Sequence, residues 1–108
     1  MHLIPTDRFD CPPGAPNHYV EHVRVESMSV GTYVIPVGGV DDQQPHGEDE
    51  VYVVLSGRGQ FTAGDRTVPV AAGSTLFVPA GEPHRFHDVT EDLAVLVVFA
   101  PPYRGRSA

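Results

Sequence analysis

The chain has 108 residues, a net charge of −7 and no lysine. That length supports one hydrophobic core; the acidic balance, with no basic run, excludes a phosphate-binding face and with it nucleic acid as a partner; and the missing lysine excludes Schiff-base chemistry. Glycine and proline contribute 11 residues each, and 17 valines stand against 5 leucines, a composition of short strands and turns rather than of a helical bundle.

Residues 1–17 carry four prolines and no periodic pattern, so they are expected to form an arm lying on the domain. The opening residues lack the basic and apolar stretches of a signal peptide, and no window approaches the roughly 18 apolar residues of a membrane span. The single cysteine, Cys11, cannot form an internal disulfide and reads as a loop residue. No membrane partner and a reducing, cytoplasmic location are therefore expected. Candidate strands follow at Tyr19–Glu26, Met28–Pro36, Glu50–Leu55, Gly59–Ala63, Arg66–Val70, Thr75–Val78, His84–Asp88 and Leu93–Phe99. They are separated by glycine-rich or acidic junctions, among them Gly57, Gly64-Asp65, Ala72-Gly73, Gly81 and Thr90-Glu91-Asp92. Eight short strands punctuated this way predict an antiparallel β-sandwich or barrel over residues 18–100. Residues 101–108, with Arg104 and Arg106, read as a frayed tail. Val51–Leu55 and Leu93–Ala100 are apolar on both faces. Something must cover the second face, and a second copy of the chain or a proline-rich arm would do so; a homodimer is expected.

The chemistry concentrates in two segments. Glu50 heads an apolar strand, sharing a face with Tyr52 and Val54, and a carboxylate there is costly to bury unless it is paired or ligates an ion. His46, four residues earlier, can reach the same pocket. His84 opens another strand with Phe86 and Asp88 on its face, presented by the turn Pro79-Ala80-Gly81, while Arg85 and His87 point away. Two imidazoles and a carboxylate are a donor set for a divalent transition metal with open positions. Plainer readings stand beside these. Glu48 and Asp49 read as a solvated turn, and His2, His18, His22 and His87 as surface or strand residues. Tyr33, Tyr52, Phe77 and Phe86 read as core, with Tyr52 and Phe86 alternatively walling a substrate pocket.

These segments resemble the two motifs of the cupin family, G-x5-H-x-H-x3,4-E-x6-G and G-x5-P-x-G-x2-H-x3-N. The second is matched by Gly73, Pro79, Gly81 and His84, with Asp88 in the asparagine position; the first by His46, Glu50 and Gly57. Gly39 stands one residue nearer than the first motif asks, and Gln44 occupies the position of its first histidine. Gln44 and Gln43 are both candidates to ligate the metal, with spacing favouring Gln44, and Gln43 is also a candidate for binding the substrate. The resemblance, covering roughly residues 18–100, implies an all-β fold, an antiparallel jelly-roll β-barrel. It implies one bound Fe, Mn, Zn or Ni ion held by His46, Glu50, His84 and Gln44. It implies dioxygenase, isomerase or lyase chemistry on a small polar organic molecule, with Glu50 able to serve as ligand or base. Asp88 would then hold a ligand histidine through a hydrogen bond. The alternative is a non-catalytic module that binds or senses a small ligand, its metal structural or absent.

Overall fold

The computed structural model describes residues 1–42 and 47–104. Among these there is no helix; six strands run β1 (His18–Arg24), β2 (Ser29–Ile35), β3 (Asp49–Ala63), β4 (Arg66–Val70), β5 (Thr75–Val78) and β6 (His84–Ala100). All pairings are antiparallel. The sheet order is β1-β2-β6-β3-β4, with β5 also on β3. The fold is an antiparallel jelly-roll barrel.

Six strands replace the eight expected because two supposed breaks are bends. Glu50–Leu55 and Gly59–Ala63 are one strand, β3, and the two segments flanking Thr90-Glu91-Asp92 are one strand, β6. The β3–β6 ladder continues through the bend and slips register three times between Val54 and Gln60. Such bulges turn a strand sharply without ending its pairing. Each long strand therefore serves both walls of the barrel. The far edge of β3 is divided accordingly: β5 pairs with Glu50–Val53 and β4 with Gly59–Ala63. The hairpin expected at Ala63–Arg66 is present, with the pair Ala63 and Arg66 closing a two-residue Gly64-Asp65 loop.

Strand parity sets the core. Glu50, Tyr52 and Val54 face inward and are buried, whereas Val51, Val53 and Leu55 are half-buried on the outer face. Tyr33, Ile35, Phe61, Val70, Val78, Phe86, Leu93, Val95, Val97 and Phe99 complete the interior, each fully buried apolar side chain contributing about 1.5–3 kcal/mol. Every residue of β2 is buried, those on its outer face included. The arm helps to account for this: Phe9 lines two surface grooves with Val34, one of them shared with Cys11 and Ala94. Pro16 O also accepts a hydrogen bond from Val40 N at 3.1 Å. The C-terminal segment, expected to fray, is docked through Arg104. Tyr103 N donates to Ser29 Oγ at 2.8 Å, Arg24 Nη1 donates to Tyr103 O at 2.8 Å, and the Tyr103 ring stacks on Phe99 with centroids 4.6 Å apart. No helix among the described residues is long and apolar enough to cross a membrane.

Candidate metal centre

Glu50 enters the interior because it lies on the inward row of β3, and it is 1% exposed. A carboxylate this deep is costly to desolvate unless charge or donors meet it. His84 Nε2 lies 3.2 Å from Glu50 Oε1. The two residues come from different walls. Glu50 pairs with Phe99 at one end of the β3–β6 ladder, and His84 pairs with Ala63 at the other. Only the bends in both strands bring their side chains together.

The turn before β6 orients the imidazole. Glu82 N donates to Pro79 O at 3.2 Å, and the Glu82 carbonyl accepts from His84 Nδ1 at 2.8 Å. A carbonyl cannot donate, so Nδ1 carries the proton and the neutral ring keeps its lone pair on Nε2. In that neutral ring the Tyr52 hydroxyl donates to Nε2 at 2.9 Å, whereas in the imidazolium Nε2–H faces Glu50 Oε1 at 3.2 Å. Burial opposes the imidazolium, but the hydrogen bond to Glu50, then the Glu82 carbonyl, outweighs it and holds the His84 pKa above the usual histidine value. Burial first, and then the charge of Glu50, pushes the Tyr52 phenol far up, so it stays protonated.

Two further acids are buried nearby. Asp41 accepts from the Tyr33 hydroxyl and from Phe86 N, each at 2.9 Å. Glu48 is not in a solvated turn as expected; it is 3% exposed. Its Oε2 accepts from Arg104 Nε at 2.9 Å, and its Oε1 is buried without a hydrogen-bond partner among the described residues. A Cβ at Gly47 would lie 2.8 Å from Arg104 Nη2, so glycine there admits the guanidinium. Asp49 is exposed, and its Oδ1 accepts from Ala80 N at 2.9 Å, tying the start of β3 to the turn that carries His84.

Of the expected site residues, Glu50, His84 and Tyr52 are in contact. Phe86 is 1% exposed, its ring 5.1 Å from Tyr52 and 4.7 Å from Phe61. Tyr52 and Phe86 thus pack as core beside the histidine. His46, Gln44 and Gln43 lie outside the described residues. Among the described residues, no three His, Cys, Asp or Glu side chains gather closely enough to hold a metal. The pair that does gather has the donor types a transition metal takes, a buried carboxylate and an imidazole with its tautomer set, in contact at 3.2 Å.

Two expectations need correction. Asp88 does not hold a ligand histidine. Its side chain is 78% exposed and its Oδ2 lies 2.8 Å from Nδ1 of His87, the outward neighbour. Its φ of +49° explains the residue type, since asparagine and aspartate tolerate the left-handed region best among residues with a side chain. Gly38, not Gly39, stands six positions before residue 44 and has φ +82°, so it supplies the first motif's glycine.

The sequence pattern of the cupin domain matches residues 31–99. The chain belongs to the cupin family. A curated relative, an uncharacterised protein of Streptomyces coelicolor, is 52% identical over 84 residues, covering 78% of this cupin and 80% of the relative. Among solved structures, TT1209 of Thermus thermophilus superposes with a TM-score of 0.74 at 28% identity, over 84% of this chain and 88% of that one. KdgF of a Halomonas species superposes with a TM-score of 0.80 over 96% of both chains, but at 14% identity the likeness is one of fold.

Sequence reasoning did not find Asp41, the Glu48–Arg104 pair, or the placement of Tyr19 and Tyr103 beside Phe99. Asp41 follows Gly38-Gly39-Val40 outside any periodic segment, and Arg104 is 56 residues from Glu48; nothing local in the sequence marks either.

Proposed function

We propose that this cupin binds one divalent transition metal, Fe, Mn, Zn or Ni, and acts on a small polar organic molecule. The observation that supports this reading most is the meeting of His84 Nε2 and Glu50 Oε1 inside the barrel, 3.2 Å apart. His84 and Glu50 would hold the ion, with His46 and Gln44, or Gln43, from the segment just before Gly47. When bound, the ion supplies Lewis-acid or dioxygen-activating chemistry of the dioxygenase, isomerase or lyase kind. The chain's own residues do the rest. The Glu82 carbonyl keeps Nε2 free of its proton in the neutral ring. Tyr52, Phe61 and Phe86 exclude water around the imidazole, and the Tyr52 phenol holds a proton 2.9 Å from Nε2. Glu50 can accept a proton from a substrate when it is not engaged as a ligand.

One observation favours the non-catalytic alternative, a module that binds or senses a small ligand: the Tyr52 hydroxyl already bonds Nε2. Elemental analysis of protein purified without an affinity tag, followed by an oxygen-uptake screen, separates the two. Near-stoichiometric transition metal is expected. Metal below about one tenth of the protein concentration, with no uptake on addition of Fe, Mn, Zn or Ni, sinks the metal reading.

We also propose a homodimer. Phe77, 65% exposed, pairs with Val51 on the outer face, where Val51 and Val53 are only half-buried. Sedimentation at micromolar concentration is expected to give twice the chain mass, and Phe77→Glu to shift it toward the monomer; a monomeric parent protein overturns this. A reducing, cytoplasmic setting accords with the free thiol of Cys11.

A further inference from the structure

A cavity of about 120 Å³ opens between the arm, the start of the barrel and the C-terminal segment. Its walls are aromatic: Tyr19, Tyr33, Phe99 and Tyr103 line it, with Asn17 and Asp42 on the polar side. The Tyr19 ring meets those of Tyr33, Phe99 and Tyr103 edge-on, at 69°, 84° and 73°. Asn17 Nδ2 donates to Asp42 Oδ1 at 3.1 Å and to Val40 O at 2.7 Å, which holds the carboxylate at the rim. The Tyr19 hydroxyl oxygen is buried and has no hydrogen-bond partner among the described residues.

Charge decides what such a cavity accepts. Among the described residues, no arginine lines it. The two nearby guanidinium groups among the described residues are committed, Arg24 to Glu21 and the Tyr103 carbonyl, Arg104 to Glu48. Asp42 lines the cavity, and Asp41 is bonded to the lining Tyr33. An anion would meet carboxylates and the negative faces of the rings. A cation meets the same groups favourably, because ring quadrupoles attract positive charge and a neighbouring carboxylate adds to it. A volume of about 120 Å³ suits a compact alkylammonium head.

We propose that this cavity is the substrate-recognition pocket and takes a small organic cation, a protonated or methylated amine, with its charged head among Tyr19, Tyr33, Phe99 and Tyr103 and beside Asp42. This deepens the functional reading above and rests on it for the claim that the ligand reacts, though none of the recognition residues named here is a proposed metal ligand. Recognition is measured by calorimetry with choline, its neutral isostere 3,3-dimethyl-1-butanol and the anion 3,3-dimethylbutanoate, on chelator-treated and on metal-supplemented protein. Choline is expected to bind about tenfold or more tighter than the neutral isostere, and the anion weaker than either. Asp42→Asn and Tyr103→Leu are each expected to reduce that preference severalfold, whereas Arg58→Ala, at an exposed pair with Glu91, leaves it unchanged. Equal binding of choline and its isostere, tighter binding of the anion, no binding of choline at millimolar concentration, or an Asp42→Asn variant with the full preference overturns the proposal. Choline preference in a protein that takes up no metal sinks only the metal reading; stoichiometric metal without choline preference sinks only this one.

Discussion

Replacing His84 by alanine is expected to lower transition-metal affinity by more than about 100-fold, while His87→Ala leaves it within about twofold. Losing an outer partner of a metal ligand typically costs 10–100-fold, so losing a ligand itself should exceed that. The two histidines are three residues apart yet face opposite ways. His84 Nε2 is inside the barrel, 3.2 Å from Glu50. His87 bonds Thr62 Oγ1 at 2.7 Å through Nε2 and Asp88 at 2.8 Å through Nδ1, and reaches nothing in the interior. Titration with zinc against a chromophoric chelator reads the difference. His84→Ala also removes the imidazole from a carboxylate 1% exposed, and separating a buried pair in this way costs about 3–5 kcal/mol. His84→Gln, which keeps an amide donor toward Glu50, is the variant to use if the alanine form does not fold. Equal affinity losses in the His84 and His87 variants would falsify the placement of the site inside the barrel.

Gly57→Ala is expected to be the most destabilising single-methyl change in the chain, at about 2–5 kcal/mol. Two costs add. Gly57 has φ +95°, where a side chain costs about 1–2 kcal/mol. Its Cβ would collide with the Asp92 carbonyl oxygen and stand 2.7 Å from Asp92 C and 2.8 Å from Leu93 Cα, overpacking worth about 1–3 kcal/mol. These neighbours are backbone and cannot swing away, because they belong to β6 where it crosses the bend in β3. At roughly 4–8 °C per kcal/mol for a domain near this size, the melting temperature should fall by more than about 8 °C. Gly73→Ala is the control. Gly73 has φ +94° but open space where its Cβ would stand, so only the backbone cost applies. Thermal unfolding by circular dichroism reads both. Similar losses in the two variants would show that the close approach of β3 and β6 at Gly57 is not what requires glycine.

The inward row of β3 was legible because parity is local: once Glu50 opens a strand, Tyr52 and Val54 must share its face. The pairing of Pro79-Ala80-Gly81 with His84 was legible for the same reason, since proline and glycine act on the backbone within a few residues. Glu48 was misread because a charged residue after glycine in an acidic run is ordinarily solvated, and only a guanidinium from the far end of the chain makes its burial tolerable. Asp88 was misread because its residue type answers to a left-handed φ, not to a neighbouring ligand. The two bends were read as breaks because glycine and acidic residues punctuate a sequence identically whether pairing stops or merely bulges.

The amino-acid sequence by itself determined that this is an all-β cupin and that Glu50 and His84 face inward, because strand period, turn chemistry and motif spacing act over a few residues. Only the tertiary structure decided that Glu50 and His84 meet, that Asp41 bonds Tyr33 and Phe86, and that Tyr19, Tyr33, Phe99 and Tyr103 enclose a cavity. Those contacts depend on how far two long strands bend and where the C-terminal segment docks, and both are set by the packing of residues distant in sequence.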